Sequence, residues 1–162
     1  MAVDDMQKGT VVKSTDVEIL IKGKEQYFRQ KKTTTLEISV DTETEEKKFI
    51  ADLTSTVFSK NVKFSLPNDL YTIKGEPDFD FFFDLYVNLP KGMPAPLDIL
   101  VVYKALGAKS TGYKAWHFPE AQVVFTGYNA VDSVLNYDFN FGQGEVGTCN
   151  MNTGTPTFQK GE

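Results

Sequence analysis

Apolar and polar positions alternate with period two along most of this chain, and one segment has period 3.6. The clearest alternation is SVLNYDFNF, residues 133 to 141. Leu135, Tyr137, Phe139 and Phe141 take one side and Asn136, Asp138 and Asn140 the other, the pleat of a half-buried strand. VEILIKG (17 to 23) alternates and stops at Gly23. TTTLEISVD (33 to 41) sets Leu36, Ile38 and Val40 against Thr35, Glu37, Ser39 and Asp41. KNVKFSL (60 to 66) puts Val62, Phe64 and Leu66 on one face, and AQVVFTGY (121 to 128) reads as a further strand. GEVGTCNMN (144 to 152) and PTF (156 to 158) read as short closing strands. PLDILVVYK (96 to 104) is almost continuously apolar, as expected of a strand covered on both faces, one of them by the helix described next. Seven or eight strands with turn residues between them predict a sandwich or partly open barrel.

The period changes at PDFDFFFDLYVN, where Phe79, Phe82, Phe83 and Tyr86 recur at helical spacing. Pro77 suits a first helical position, and Asp78 and Asp80 in the first turn complement the helix dipole. Pro90 and Gly92 end the helix. Only Asp80, Asp84 and Asn88 form a polar stripe, while Phe81, Leu85 and Val87 extend the apolar surface beyond the single face a sheet requires. Two readings follow: a helix deep in its own core, or a second apolar face, with Phe81 and Leu85 on it, that meets another subunit.

Two segments lack a strand pattern. Residues 1 to 15 are polar and mixed and read as an extended arm. Residues 41 to 60 read as a long loop, far longer than a hairpin turn, yet it carries Phe49, Ile50, Leu53, Val57 and Phe58. Either these side chains meet a neighbouring molecule, or Phe49, Ile50, Leu53 and Val57 form a short amphipathic helix on the domain's own core. The β-branched stretch Thr54 to Thr56 weakens the helix.

Composition narrows the function classes. The 162 residues suit one domain with a core of its own. A net charge of -5 without a dense basic patch disfavours stable nucleic-acid binding. A single cysteine, Cys149, excludes an intramolecular disulfide. No apolar run approaches a membrane span, and the first residues lack the apolar stretch of a signal peptide, so synthesis in the cytoplasm is expected. Thirteen Phe and seven Tyr fit a chain that associates through aromatic surface.

Catalytic chemistry finds little support. The lone histidine, His117 in AWHFPE, reads as a packed strand residue, and any nucleophilic triad would have to use it. One Cys and one His make no metal-ligand spacing. The glycines of GQGEVG sit in a β context with no following helix, so phosphate cradling is not expected. The carboxylate pairs Asp78/Asp80 and Glu43/Glu45 read as solvated surface rather than as glycosidase pairs. No enzyme activity, no cofactor and no catalytic or metal-binding residue is expected.

Four stretches together resemble the major tail tube proteins of long-tailed phages of Gram-positive hosts: TETEEKKFIADLTST (42 to 56), YTIKGEPDFDFFFDL (71 to 85), PLDILVVY (96 to 103) and LNYDFNFGQGEVGTCNMNTGTPTF (135 to 158). Their order and spacing carry the resemblance, which spans nearly the whole chain. Glu76 departs from it where Asp is usual, and so does TCNMNTGT, where a more charged turn is usual. The resemblance implies two antiparallel sheets forming a β-sandwich or barrel with one flanking helix. It implies a structural virion protein assembled in the host cytoplasm: six copies form a ring, and rings stack into a tube for DNA ejection. Implied partners are further copies, the tape measure, the tail terminator and the tail-tip proteins; genome DNA passes without stable binding, and no membrane is involved. The arm and the 41 to 60 segment would reach adjacent subunits or rings. Candidates for the lumen are Glu37, Ser39, Asp41, Asn136, Asp138 and Asn140, whose acidic and neutral polar groups would let a polyanion slide. A tube protein of a contractile tail or type VI secretion system shares the implied fold. A carbohydrate-binding sandwich would need exposed aromatics, and Trp116 is the only tryptophan.

Overall fold

The computed structural model describes residues 6–13, 16–24, 26–31, 37–48, 50, 56–151 and 156–161. Among them, nine strands form one continuous antiparallel network with a single α-helix. The strands are β1 (Val17–Lys22), β2 (Tyr27–Arg29), β3 (Ser39–Lys47), β4 (Thr56–Tyr71), β5 (Leu97–Ala108), β6 (Gly112–Asn129), β7 (Val134–Asn140), β8 (Glu145–Asn150) and β9 (Thr157–Lys160), with helix α1 (Pro77–Val87) between β4 and β5. The mainly β architecture with one flanking helix is the expected one. Its two halves are joined rather than separate, because β6 belongs to both.

The junction follows from Pro119. Residues 112–118 of β6 pair with β5 and 113–117 with β8, while residues within 122–129 pair with β7. The register with β5 slips between Ile99↔Phe118 and Leu97↔Ala121, around Pro119. Proline has no N–H to give a ladder, so the strand bends there and changes partners. One half runs β2-β1-β5-β6 and continues through β8 to β9; the other runs β6-β7-β4-β3.

Between the halves lies the main core. Ile19, Ile21, Ile99 and Val101 from one half face Leu66, Leu70, Leu135 and Phe139 from the other, and all are buried. Phe82 of α1 fills the centre, its ring stacked on Tyr137 at 4.5 Å. A second core lies on the opposite face of the first half: Leu20, Leu100, Val102, Tyr113, Ala115 and Cys149. This explains the apolar run of β5, which is covered on both faces as expected. The outer cover is not the helix, however. Tyr27, Met151 and Phe158 lie over it, while α1 packs near β2 and β4.

The helix is only partly buried in its own domain. Phe82 is fully buried, whereas Phe79, Phe81, Phe83, Leu85 and Tyr86 are half-buried and Val87 is exposed. Phe81 packs edge-on against Phe28 at 5.1 Å, and Leu85 rests on the same core. Asp78 corrects the surface reading of the Asp78/Asp80 pair. It is completely buried, and its Oδ2 accepts the Lys31 N–H at 2.6 Å, which pins the chain after β2 to the helix start.

The 41 to 60 segment is not a long loop. Residues 41–47 lie in β3 and 56–60 in β4, and the ladder from Ser39↔Ser65 to Lys47↔Thr56 makes one extended hairpin. A register shift between Glu43 and Thr44 marks a bulge. The expected strand over 33–41 correspondingly moves outward: Ser39 begins β3, and residues 32–36 fall outside the described set. Of the arm, residues 6–13 carry no strand or helix, and Val11 and Val12 are exposed.

A polar network braces the core. Gln30 Nε2 donates to Asn68 Oδ1 (2.9 Å) and to the Tyr137 hydroxyl (2.8 Å), and Asn68 Nδ2 donates to the Leu66 carbonyl (2.9 Å). Burial is the main reason the Tyr137 hydroxyl is pushed well above its ordinary value; the Gln30 bond opposes that shift. Tyr137→Phe removes one acceptor from buried Gln30 and is expected to lower stability by about 1 to 3 kcal/mol in urea denaturation. An unchanged unfolding midpoint would show that the network contributes nothing.

Candidate assembly surfaces

Opposed residues of antiparallel strands point to the same side, so register alone defines the outer face of the β6-β7-β4-β3 half. One row reads Gln122, Asn140, Ser65, Ser39 across four strands. The next reads Val124, Asp138, Pro67, and the one after it Gly127, Asn136, Asp69. In the other direction Asp41 lies opposite Lys63. The lumen candidates Ser39, Asp41, Asn136, Asp138 and Asn140 therefore share one continuous surface. Ser39, Asp41 and Asn140 are exposed and Asn136 and Asp138 half-exposed. Glu37, also exposed, precedes β3 rather than belonging to a strand. Asp41, Glu43, Asp69 and Asp138 outnumber Lys63 on this face. Glu43 forms an ion pair with Lys63, which raises the lysine's affinity for its proton.

The inner face of the hairpin has a different character. Phe64 reaches the core edge, with its ring 5.0 Å from Trp116 and 5.7 Å from Phe118. Beyond it, Val62 and Val40 are 50% and 60% exposed. Their alternation predicts inward positions, but among the described residues neither is covered. Beside them opens an apolar hollow of about 300 Å³ lined by Phe64, Trp116, Phe118, Gly144, Glu145 and Val146. Gly144 keeps it open, since a Cβ there would stand 2.4 Å from the Phe118 ring. Of the contact candidates, Ile50 is fully exposed near the hairpin tip. Phe49 and Leu53 lie outside the described residues. For Val57 and Phe58 only the backbone is described, opposite Glu46 and Glu45.

The far end of the same half carries a second exposed apolar group: Tyr71, Ile73 and Val131. The turn holding Val131 is braced by Asn129, whose Oδ1 accepts the N–H groups of Val131 (3.0 Å) and Asp132 (3.1 Å). Ser133 takes a left-handed φ of 58° to close it.

His117 sits elsewhere, on the outer face of the first half. Its Nε2 lies 2.9 Å from Asp98 Oδ1 and its Nδ1 3.3 Å from Glu145 Oε2. Asp98 also accepts the Tyr27 hydroxyl at 2.6 Å, and Lys160 reaches Glu145 at 3.2 Å. A Ser–His–Asp set needs one ring nitrogen free for the nucleophile; here both face carboxylates. The chain Tyr27–Asp98–His117–Glu145–Lys160 comes from β2, β5, β6, β8 and β9, so sequence spacing could not have assembled it.

No family model matches the sequence, and no curated protein matches it. The fold does have counterparts among solved structures. A chain of the cryo-EM structure of the anti-feeding prophage cap (the AFP tube terminating cap) matches with TM-score 0.53 and 12% identity over 90% of this chain and 96% of that one. A chain of an extracellular contractile injection system, the PVC sheath/tube terminator in its extended state, matches with TM-score 0.53 and 11% identity over 86% and 99%. A chain of the PVC sheath–tube complex matches with TM-score 0.51 and 12% identity over 87% and 94%. The fold is thus one found in tube and terminator structures of contractile, phage-tail-like particles. At these identities the likeness is one of architecture.

Proposed function

We propose that this chain is a structural protein of a phage-tail-like tube, in which six copies form a ring and rings stack into a hollow conduit. The observation that carries this reading is the near whole-length fold likeness to chains from tube and terminator assemblies. The outer polar face of β3, β4, β6 and β7 lines the lumen, and its excess of carboxylates keeps passing DNA from binding. The neighbours come from contractile injection systems, which favours a contractile assembly over the non-contractile long tail suggested by the sequence motifs. Partners are other copies of the chain, a terminating cap protein, a tape measure and tip proteins. A closed ring pairs the exposed strand edges that would otherwise template aggregation.

Negative-stain electron microscopy of the purified chain at high concentration, with and without tail-tip complex, tests this. Hollow tubes or rings are the expected result. Featureless monomers under both conditions would overturn it. Once tubes form, a lumen lined by positive potential would overturn the assignment of the polar face. Decoration of the tubes by a co-expressed sheath protein separates the contractile from the non-contractile reading.

A further inference from the structure

Strand β9 has one hydrogen-bonding neighbour in the network, β8, and β8 in turn joins the body through β6 alone. Yet Phe158 of β9 covers the outer core, opposite Cys149, and packs 4.9 Å from the His117 ring. We propose that β9 is a strap over this second core, latched through Glu145, and that it opens as a unit while the main sandwich stays folded. The inference stands apart from the proposed tube function and does not require it.

Glu145 is the natural latch because it holds both sides. Lys160 of the strap reaches Oε1 at 3.2 Å, and His117 of the body reaches Oε2 at 3.3 Å. Behind His117 stand Asp98 of β5 and Tyr27 of β2, and Lys22 of β1 lies 6.0 Å over the Tyr27 ring. Glu120 lines the hollow shared by Glu145 and Lys160. The strap also lies tight on β8: a Cβ at Gly147 would stand 2.0 Å from the Gln159 carbonyl oxygen. Backbone cannot step aside as a side chain does, so Gly147→Ala forces the two strands apart. Local openings of this kind, well below global unfolding in cost, are general in proteins.

The latch has a pH sense. Lys160 first, then His117, hold the Glu145 carboxyl below its ordinary value of 4.5. A carboxyl so depressed stabilises the closed form above that ordinary value and loses its contribution as pH falls through the lowered one. Acid therefore weakens the latch.

Cys149 is a built-in reporter. It is the only cysteine, it is fully buried, and burial followed by the charge of Glu18 pushes its thiol up to about 11. The experiment measures labelling of Cys149 in the full chain by 4,4′-dithiodipyridine, with far-UV circular dichroism reporting the body. Glu145→Gln at pH 6 is expected to speed labelling by roughly two- to tenfold, as for loss of a charged hydrogen bond that is partly exposed. Gly147→Ala is expected to speed it further. The gap between the unmodified chain and Glu145→Gln closes as the solution is acidified, since the native glutamate then loses its charge too. If either variant fails to fold, the unmodified chain still decides, because its labelling must depend on urea far less steeply than global unfolding does. Equal rates in folded Glu145→Gln and the unmodified chain, or a urea dependence equal to that of global unfolding, would overturn the strap.

Discussion

Changing Val40 to Glu together with Val62 to Lys is expected to abolish tube formation while leaving the monomer folded. Both side chains are half or more exposed on the inner face of a hairpin that projects past the body. Exposed substitutions away from core or caps shift stability by about 0.5 kcal/mol or less. The ribbon itself is protected by the choice of residues. Val40 pairs with Phe64 and Thr42 with Val62, so positions 40 and 62 are diagonal neighbours across the ladder. Opposite charges placed there attract. What the change removes is apolar surface that a neighbouring copy can bury. Two-stranded ribbons are at best marginally stable alone, so burial of this face by a neighbouring copy would add to the stability of the ribbon. Sedimentation and negative-stain microscopy read assembly; thermal circular dichroism reads the fold. Intact tubes from the double variant would show that the inner hairpin face is not a contact.

Phe82→Ala is expected to cost about 3 to 5 kcal/mol. Phe82 is fully buried, stacked on Tyr137 at 4.5 Å, 5.7 Å from Phe139 and 6.5 Å from Phe28. No single neighbour can collapse into the space it leaves, because the rings around it come from α1, β2 and β7. Domains of this class hold only about 5 to 15 kcal/mol in total, and for this length the loss corresponds to a fall in Tm of roughly 6 to 20 °C. Val87→Ala, on the exposed side of the same helix, provides the control and is expected to stay within about 0.5 kcal/mol. Similar effects at positions 82 and 87 would refute the orientation of the helix.

These two results separate what pattern can and cannot disclose. Strand β7 was legible because its alternation has a buried side of large residues: Leu135, Tyr137 and Phe139 are buried, and Asn136, Asp138 and Asn140 point away. Helix α1 was legible for the same reason at period 3.6, and Pro77 marked its start. The full hairpin was not. SVDTETEEK has one apolar residue in nine and hence no period to detect; it is a strand because β4 offers it a ladder. Three-residue β2 is too short to carry a pattern, and the first part of β6 was hidden by Pro119, which marks a bend within one strand rather than its end.

For the surfaces the division is similar. The polar residues of β3 and β7 could be named from alternation, because side-chain direction in a strand is local geometry. That they form one surface depended on β4 lying between them, since its ladder with β7 joins residues far apart in the chain, such as Ser65 and Asn140. Whether an inward-facing valine is covered depends on where the body of the domain stops, so Val40 and Val62 read as core and stand in the open. His117 gave no signal of its surroundings as a lone histidine, because its carboxylates arrive from β5 and β8. The sequence by itself therefore determined the strongly periodic elements and the polar sides of their strands, since these follow from backbone geometry and short-range burial. Tertiary structure alone decided which strands pair, which faces are covered and which charges meet, because those contacts join segments far apart in the chain.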